Sequence, residues 1–270
     1  MPKVSVLIAV YNAEQFVANT IKSILEQTYT DFEIIIINDA STDRTEEKVL
    51  SFADPRIRYY KNNANMGISA TRNQLIALSE GEYLAIMDHD DISLPQRLEK
   101  QVTFLERHRD ISVVGSWVQL FCSHQEKGLI NKIKFFIRNL GWVWKQPQNP
   151  TIVDALHGCP VMHPASMIRK SDIMLYNLRY NEEYSPAEDY KLWTDMLMCG
   201  LRVANLQEVL FKYNLHGKNF SIQRKKQMRA ADKKVKRDIL NYLNIPSKFY
   251  PYIFVIMQKL RLNIFKKEHH

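Results

Sequence analysis

Four short apolar runs, each followed by an amphipathic stretch, restrict this chain more than any other feature. The runs are Val4–Val10 and residues 32–37, 57–60 and 83–86. Each is near-continuous in Val, Ile, Leu or Tyr rather than alternating, which is the pattern of strands buried on both faces. The stretches between them read as helices. Val17, Ile21, Ile24, Leu25 and Thr28 share one helical face. Asp43 with Glu46 has capping-box spacing and opens a helix to about residue 52. A loop ending in Met66-Gly67 feeds a helix through Ser79, and Gly81 closes it. Ser93, Pro95 and Gln96 read as the start of a fourth helix, lined by Leu94, Leu98, Val102 and Leu105. Strand and helix repeated four times predict an α/β domain with a mostly parallel, Rossmann-like sheet flanked by helices and joined by right-handed crossovers.

Such sheets bind ligands beyond the carboxyl ends of their strands. Three of the predicted strands end in polar residues: Tyr11-Asn12, Asn38-Asp39 and Asp88-His89-Asp90-Asp91. In a parallel sheet all three lie on one rim. Three carboxylates within four residues repel one another unless something positive lies between them. A hard divalent cation with oxygen ligands answers that need, and Mg²⁺ or Mn²⁺ takes carboxylates together with a substrate's phosphates. Taken alone, the stretch reads equally well as a solvated Asp-rich turn.

The second half is less regular. Residues 111–121 and 165–169 read as strands, and so do 202–206 and 209–213. Ser185-Pro186-Ala187-Glu188 has capping-box spacing before a helix running through Leu192, Met196 and Cys199 to Gly200. Residues 131–150 are apolar and basic, with Phe135, Phe136, Trp142 and Trp144, and fit an acceptor loop, a partner surface or a packed helix. Three scattered cysteines, without CxxC spacing, fit a reducing compartment and a cytoplasmic protein. The first apolar run is too short to span a membrane and no cleavage site follows it.

Charge divides the chain. Beyond residue 217 stand fourteen Lys and Arg against three acids, a balance of +11. The total is +8, so residues 1–217 carry −3. The expected organisation is therefore a domain over 1–217, with halves 1–110 and 111–217, and a basic helical extension over 218–270. A basic tail with interleaved apolar residues fits the interfacial zone of an anionic membrane, and fits equally packing on the domain or on a second subunit in a homodimer. Nucleic-acid binding would rest on this tail alone and is not expected.

Five elements, in order, resemble glycosyltransferase family 2. They are 4–12, Ile37-Asn38-Asp39-Ala40-Ser41-Thr42-Asp43, Asn65-Met66-Gly67 with Thr71-Arg72-Asn73, Asp88-His89-Asp90-Asp91, and Ala187-Glu188-Asp189-Tyr190-Lys191-Leu192-Trp193. The family pattern usually has Gly where this chain has Ala40. The resemblance covers roughly residues 3–216. It implies a GT-A fold, a nucleotide-sugar donor (typically a UDP-sugar), a divalent metal, inversion at the anomeric carbon, and a saccharide or lipid-linked saccharide acceptor of surface-polysaccharide or glycolipid synthesis.

The resemblance also implies roles. Tyr11 and Asp39 would meet the base, where a carboxylate can accept from a ring N–H. Arg72 would lie near the nucleotide, its donor fork suited to phosphate. Asp88 would meet the ribose, and Asp90 with His216 would hold Mn²⁺ or Mg²⁺. Asp189, in a helix's first turn, would be the catalytic base that takes the acceptor's proton. Glu188 would either bind acceptor or cap its own helix, and His163 is placed on the acceptor side. A sugar-phosphate nucleotidyltransferase would need a Gly-rich loop after the first strand, which Tyr11-Asn12-Ala13-Glu14 is not. A dehydrogenase would need GxGxxG. A non-catalytic nucleotide-sugar-binding protein is the remaining alternative.

Overall fold

The computed structural model describes residues 1–123, 140–216, 223–253 and 255. Phe135, Phe136 and most of the tail beyond residue 253 lie outside them. The first half follows the expected alternation: β1 (Val4–Val10), α1 (Val17–Leu25), β2 (Phe32–Asn38), α2 (Thr45–Leu50), β3 (Ile57–Lys61), α3 (Ile68–Leu78), β4 (Tyr83–Asp88). Then come β5 (Ile92–Ser93), α4 (Arg97–Arg107), β6 (Ile111–Phe121), β7 (Val143–Trp144), α5 (Ile152–Ala155), β8 (Met167–Arg169), α6 (Lys170–Leu175), α7 (Glu188–Met198), β9 (Arg202–Asn214) and α8 (Lys225–Tyr242).

Among the described residues the strands form one sheet in the order β3-β2-β1-β4-β8-β6-β9-β5, with β7 on β6. β1 to β4 are mutually parallel. The short β8 enters antiparallel between β4 and β6, while β6 and β9 run parallel. Residues 202–214 form one bulged strand rather than two, because β6 beside it is long enough to pair throughout. The sheet curls. The chain leaves β4 through the acidic stretch, and its next two residues, Ile92 and Ser93, pair with Lys212 and Phe211 of β9. The acidic turn thus spans from the middle of the sheet to its far edge.

Both faces are buried, as the apolar runs require. Val4, Val6, Ile8 and Val10 meet α1 and α4 on one side. Leu7, Ile35 and Ile37 meet α3 and α7 on the other, with Trp193 at the centre. The basic helix α8 packs on α7 through Val235, Ile239 and Leu240, in a cluster that also holds Ala155 of α5.

The three predicted capping boxes do not form. Tertiary contacts replace them: ion pairs take Glu46 and Glu188, and strand pairing takes the Ser93 backbone. Glu46 reaches Lys61 (2.5 Å) while Asp43 accepts from the Glu14 and Thr45 backbones. Ser93 sits in β5, and α4 starts only at Arg97. Glu188 turns to Arg72 (2.7 Å), and α7 has no side-chain cap. On α1 the buried face is Val17, Thr20, Ile21, Ser23 and Ile24; Thr28 lies beyond the helix and is exposed.

Candidate active site

Strand register builds the rim. Val10 pairs with Asn38 and Ala9 with Asp88, so β1, β2 and β4 end side by side. The loops after β1 and β2 are stitched together: Asn12 Oδ1 accepts from Thr42 N (2.9 Å), and Ser41 Oγ from Asn12 N (3.0 Å). Both turns use left-handed backbone, at Asn12 (φ 49°) and Ala40 (φ 59°). Ala40 stands where the family pattern has Gly, and its positive φ shows why Gly is the usual occupant.

Asp39 is buried and organises the loop into α3. Its Oδ1 accepts from Asn62 Nδ2 (2.8 Å) and Met66 N (2.9 Å), and its Oδ2 from Gly67 N (2.9 Å). Gly67 adopts φ 86°, so the chain can turn into the helix with that N–H aimed at the carboxylate. Tyr11, beside it, is 45% exposed.

Arg72, projecting from α3, ties two other elements to the rim. Its guanidinium donates to Asp88 Oδ1 (3.1 Å) at the end of β4 and to Glu188 Oε1 (2.7 Å) at the start of α7. It also lies 5.4 Å over the Tyr180 ring. Glu188 is 4% exposed, and its Oε2 has no hydrogen-bond partner among the described residues. Asp189 follows on the same helical turn, partly exposed, with Oδ1 accepting from Tyr190 N (2.7 Å). Desolvation and the neighbouring Glu188 carboxylate push its carboxyl up to about 7, against the opposing pull of Arg72. Arg72 therefore bridges Asp88 and the helix that carries Asp189.

The acidic turn divides its carboxylates by direction. Asp90 Oδ2 meets His216 Nε2 at 2.7 Å, and the His216 ring stacks on Phe16 with centroids 4.5 Å apart. Burial would raise the Asp90 carboxyl, but the His216 hydrogen bond and the nearby His89 and His216 hold it below the usual range. Asp91 turns inward: Oδ1 accepts from Asn214 N (2.8 Å), Oδ2 has no partner among the described residues, and burial beside Asp90 and Asp88 raises it well above the usual range. Backbone clamps hold the turn. Thr20 Oγ1 donates to the His89 and Asp91 carbonyls (both 2.9 Å), and Asn214 Nδ2 to the Asp90 carbonyl (3.1 Å). Beneath it the fully buried Arg97 donates to the Ile86 (2.8 Å) and Ser166 (3.0 Å) carbonyls.

These donors fit a divalent ion only in part. Among the described residues no three His, Cys, Asp or Glu side chains converge as a metal cage. Asp90 and His216 present one oxygen and one nitrogen side by side, so a bound ion would need its other ligands from elsewhere, as Mg²⁺ and Mn²⁺ sites that use substrate phosphates do.

His163 is placed differently from the expectation of an acceptor contact. It is 3% exposed, with Nε2 2.8 Å from Tyr180 Oη and its ring against Trp193. Burial and the charge of Arg72 keep it neutral, well below the ordinary histidine range. It is buried behind Arg72. Asn73 ties Tyr180 to α3 by exchanging two 2.9 Å hydrogen bonds with its backbone. The sequence assigned no role to Asn73, Asn214 or Thr20. Asn214 ends a strand that already carries Asn205, Gln207, Glu208 and Lys212, so nothing local in the sequence singled out its clamp.

The profile of glycosyl transferase family 2 matches residues 5–173. A Haemophilus influenzae relative, an uncharacterized glycosyltransferase, is 36% identical over 245 residues, covering 89% of this chain and 74% of its own. Escherichia coli WfaP, a UDP-Glc:alpha-D-GlcNAc-diphosphoundecaprenol beta-1,3-glucosyltransferase, is 27% identical, covering 84% of this chain and 83% of its own. In structure, S. aureus TarS 1-349 in complex with UDP-GlcNAc superposes with a TM-score of 0.67 at 17% identity, covering 92% of this chain and 78% of that one. The Pyrobaculum calidifontis mannosyltransferase PcManGT, in complex with GDP-Man and Mn²⁺, gives 0.61 at 15% identity, covering 97% and 81%. Those two likenesses carry the fold; the profile and the 36% relative carry the family. A curled mixed sheet with its polar strand ends on one rim, matched on both counts, means that this chain belongs to glycosyltransferase family 2 and has its GT-A fold.

Proposed function

We propose that this protein is an inverting, metal-dependent transferase that moves a sugar from a UDP-sugar to a hydroxyl of a lipid-linked saccharide. The observation that carries the reading is the link from Asp88 through Arg72 to Glu188, which sets the end of β4 beside the helix turn bearing Asp189. That link supports a donor site and a base on neighbouring elements. Residues 1–110 supply the donor side: Asp39 Oδ2 keeps acceptor capacity for a base N–H, Tyr11 packs on the base, and Asp88 faces the ribose. Asp90 and His216 would hold Mn²⁺ or Mg²⁺, which when bound neutralises charge on the departing diphosphate. Asp189 takes the acceptor hydroxyl's proton as that oxygen attacks the anomeric carbon. A base whose carboxyl titrates near 7 is well matched to neutral pH.

Two facts favour a lipid-linked acceptor. WfaP, by its name, acts on a sugar-diphosphoundecaprenol. In this chain an apolar edge is exposed: Leu140, Trp142, Val143 and Trp144 are 57, 50, 38 and 44% exposed. The segment pairs with the end of β6, whose Phe121 carbonyl accepts from Leu215, one residue from His216. An exposed apolar edge supports an acceptor with a lipid part.

The test is a nucleotide-sugar screen for Mn²⁺-dependent binding and slow hydrolysis. Asp90→Ala is expected to abolish metal-dependent donor binding. Donor binding that is unchanged in Asp90→Ala, or absent for every UDP-sugar with wild-type protein, would overturn the reading.

A further inference from the structure

Helix α8 has two unlike faces. Met228, Ala231, Val235 and Ile239 point inward onto the α5–α7 layer. At 100° per residue, Lys226, Arg229, Lys233 and Arg237 fall on the opposite side within a stripe about 80° wide, and all four are exposed. Among the described residues none of them is in an ion pair. The helix's two acids are off the stripe; Asp238 accepts from Tyr184 Oη (2.6 Å) and pairs with Lys191 (3.4 Å). Four cations in a row repel one another, which costs free energy unless an anionic surface meets them.

The chain after α8 adds apolar anchors to this charge. Ile245 N returns to the Leu240 carbonyl (3.0 Å), and Tyr250 and Ile253 pack on the cluster that holds Leu240. This fixes the turn against the helix and leaves Phe249, Tyr252 and Val255 46, 69 and 53% exposed, next to Lys248. Duplex nucleic acid would use the cations but not these side chains. A bilayer interface uses both, since aromatic and aliphatic groups enter the headgroup zone while Lys and Arg meet acidic lipids. Among the described residues no helix is long and apolar enough to cross a membrane, so this contact would be made from one side.

We infer that the outward face of α8, with the aromatic turn after it, docks this protein on an anionic phospholipid bilayer. The choice of a bilayer rests in part on the lipid-linked acceptor proposed above. Because α8 packs directly on α7, the helix carrying Glu188 and Asp189, docking would hold the catalytic rim at a set height above the membrane.

The full chain is mixed with vesicles of phosphatidylcholine alone or with 30% phosphatidylglycerol, and binding is read by co-sedimentation. Wild-type protein is expected to bind the anionic vesicles and to release them at 0.5 M salt. At roughly five-fold per basic residue near an anionic leaflet, charge reversal at all four positions (Lys226→Glu, Arg229→Glu, Lys233→Glu, Arg237→Glu) lowers binding by at least about 100-fold. The milder pair Lys226→Gln with Arg229→Gln lowers it about ten-fold or more, and serves if the quadruple variant misfolds. Phe249→Ala with Tyr252→Ala weakens binding and leaves its salt dependence in place. Equal binding by wild-type and charge-altered proteins, no binding to anionic vesicles, or displacement of the protein from them by duplex DNA at equal charge concentration would each overturn the inference. Transfer to acceptor dispersed in detergent, without vesicles, tests the active-site reading separately. Its loss with vesicle binding intact would sink that reading alone.

Discussion

Asp189 is held where its charge is unwelcome, and replacing it tests the candidate base on two independent axes. Its carboxyl is pushed up to about 7 from an ordinary value of 3.8. At 1.36 kcal/mol per tenfold change in proton affinity, that is a loss of about 4 kcal/mol in preference for the ionised form. The residue keeps some contact with solvent, which screens part of this, so about 2–4 kcal/mol is the expected effect on stability. The unfolded chain releases this proton near 3.8 and the native chain only near 7. Between those values the native state binds more protons, so wild-type stability falls as pH rises. The Asp189→Asn variant has no such proton, and its amide oxygen can still accept from Tyr190 N. Denaturant unfolding should therefore show little difference between the two proteins near pH 4. An advantage to the variant should grow through pH 7 and level off above it. On the second axis, kcat/KM for sugar transfer should fall by about 10²–10⁴-fold with donor binding retained. A stability difference that stays constant from pH 4 to pH 9 would refute the raised carboxyl. Transfer at the wild-type rate would refute the base.

Other positions yield smaller, separate tests. Arg72→Ala leaves Glu188 buried without its cation and should cost about 3–5 kcal/mol in denaturant unfolding, with Arg72→Lys recovering only part. Asn214→Ala removes the clamp on the Asp90 carbonyl and should cost about 1–3 kcal/mol; it should also weaken Mn²⁺-dependent donor binding, measured by calorimetry. Ala40→Gly relieves a left-handed alanine after β2, and after the entropy lost by glycine it should be neutral or stabilising by up to about 1 kcal/mol in thermal melts. Gly81→Ala would set a Cβ 2.5 Å from Ser5 N and 2.8 Å from the Val4 carbonyl carbon. Backbone cannot yield there as a side chain can, so a loss of about 1–3 kcal/mol is expected.

What the sequence disclosed, and what it hid, divides by range of interaction. The strands of the first half were legible because burial on both faces leaves an unbroken apolar run, and their polar ends marked the rim at Asp39, Asp88 and Asp90. The capping boxes misled for a physical reason. The spacing of Asp43 with Glu46, Ser93 with Gln96, and Ser185 with Glu188 describes what a chain does alone. Each was overridden by a neighbour that local spacing cannot show: Lys61 for Glu46, β9 for Ser93, Arg72 for Glu188. Glu188 shows what that override does. A cap would have spent its carboxylate on the backbone of its own helix. Turned instead to Arg72, it binds α7 to α3 and to the end of β4, and it sets a negative charge beside Asp189 that helps keep that carboxyl protonated up to about neutral pH. The same ion pair that ties α7 to the end of β4 therefore tunes the group proposed to act there. Placement and proton affinity of Asp189 should accordingly fail together when Arg72 is removed.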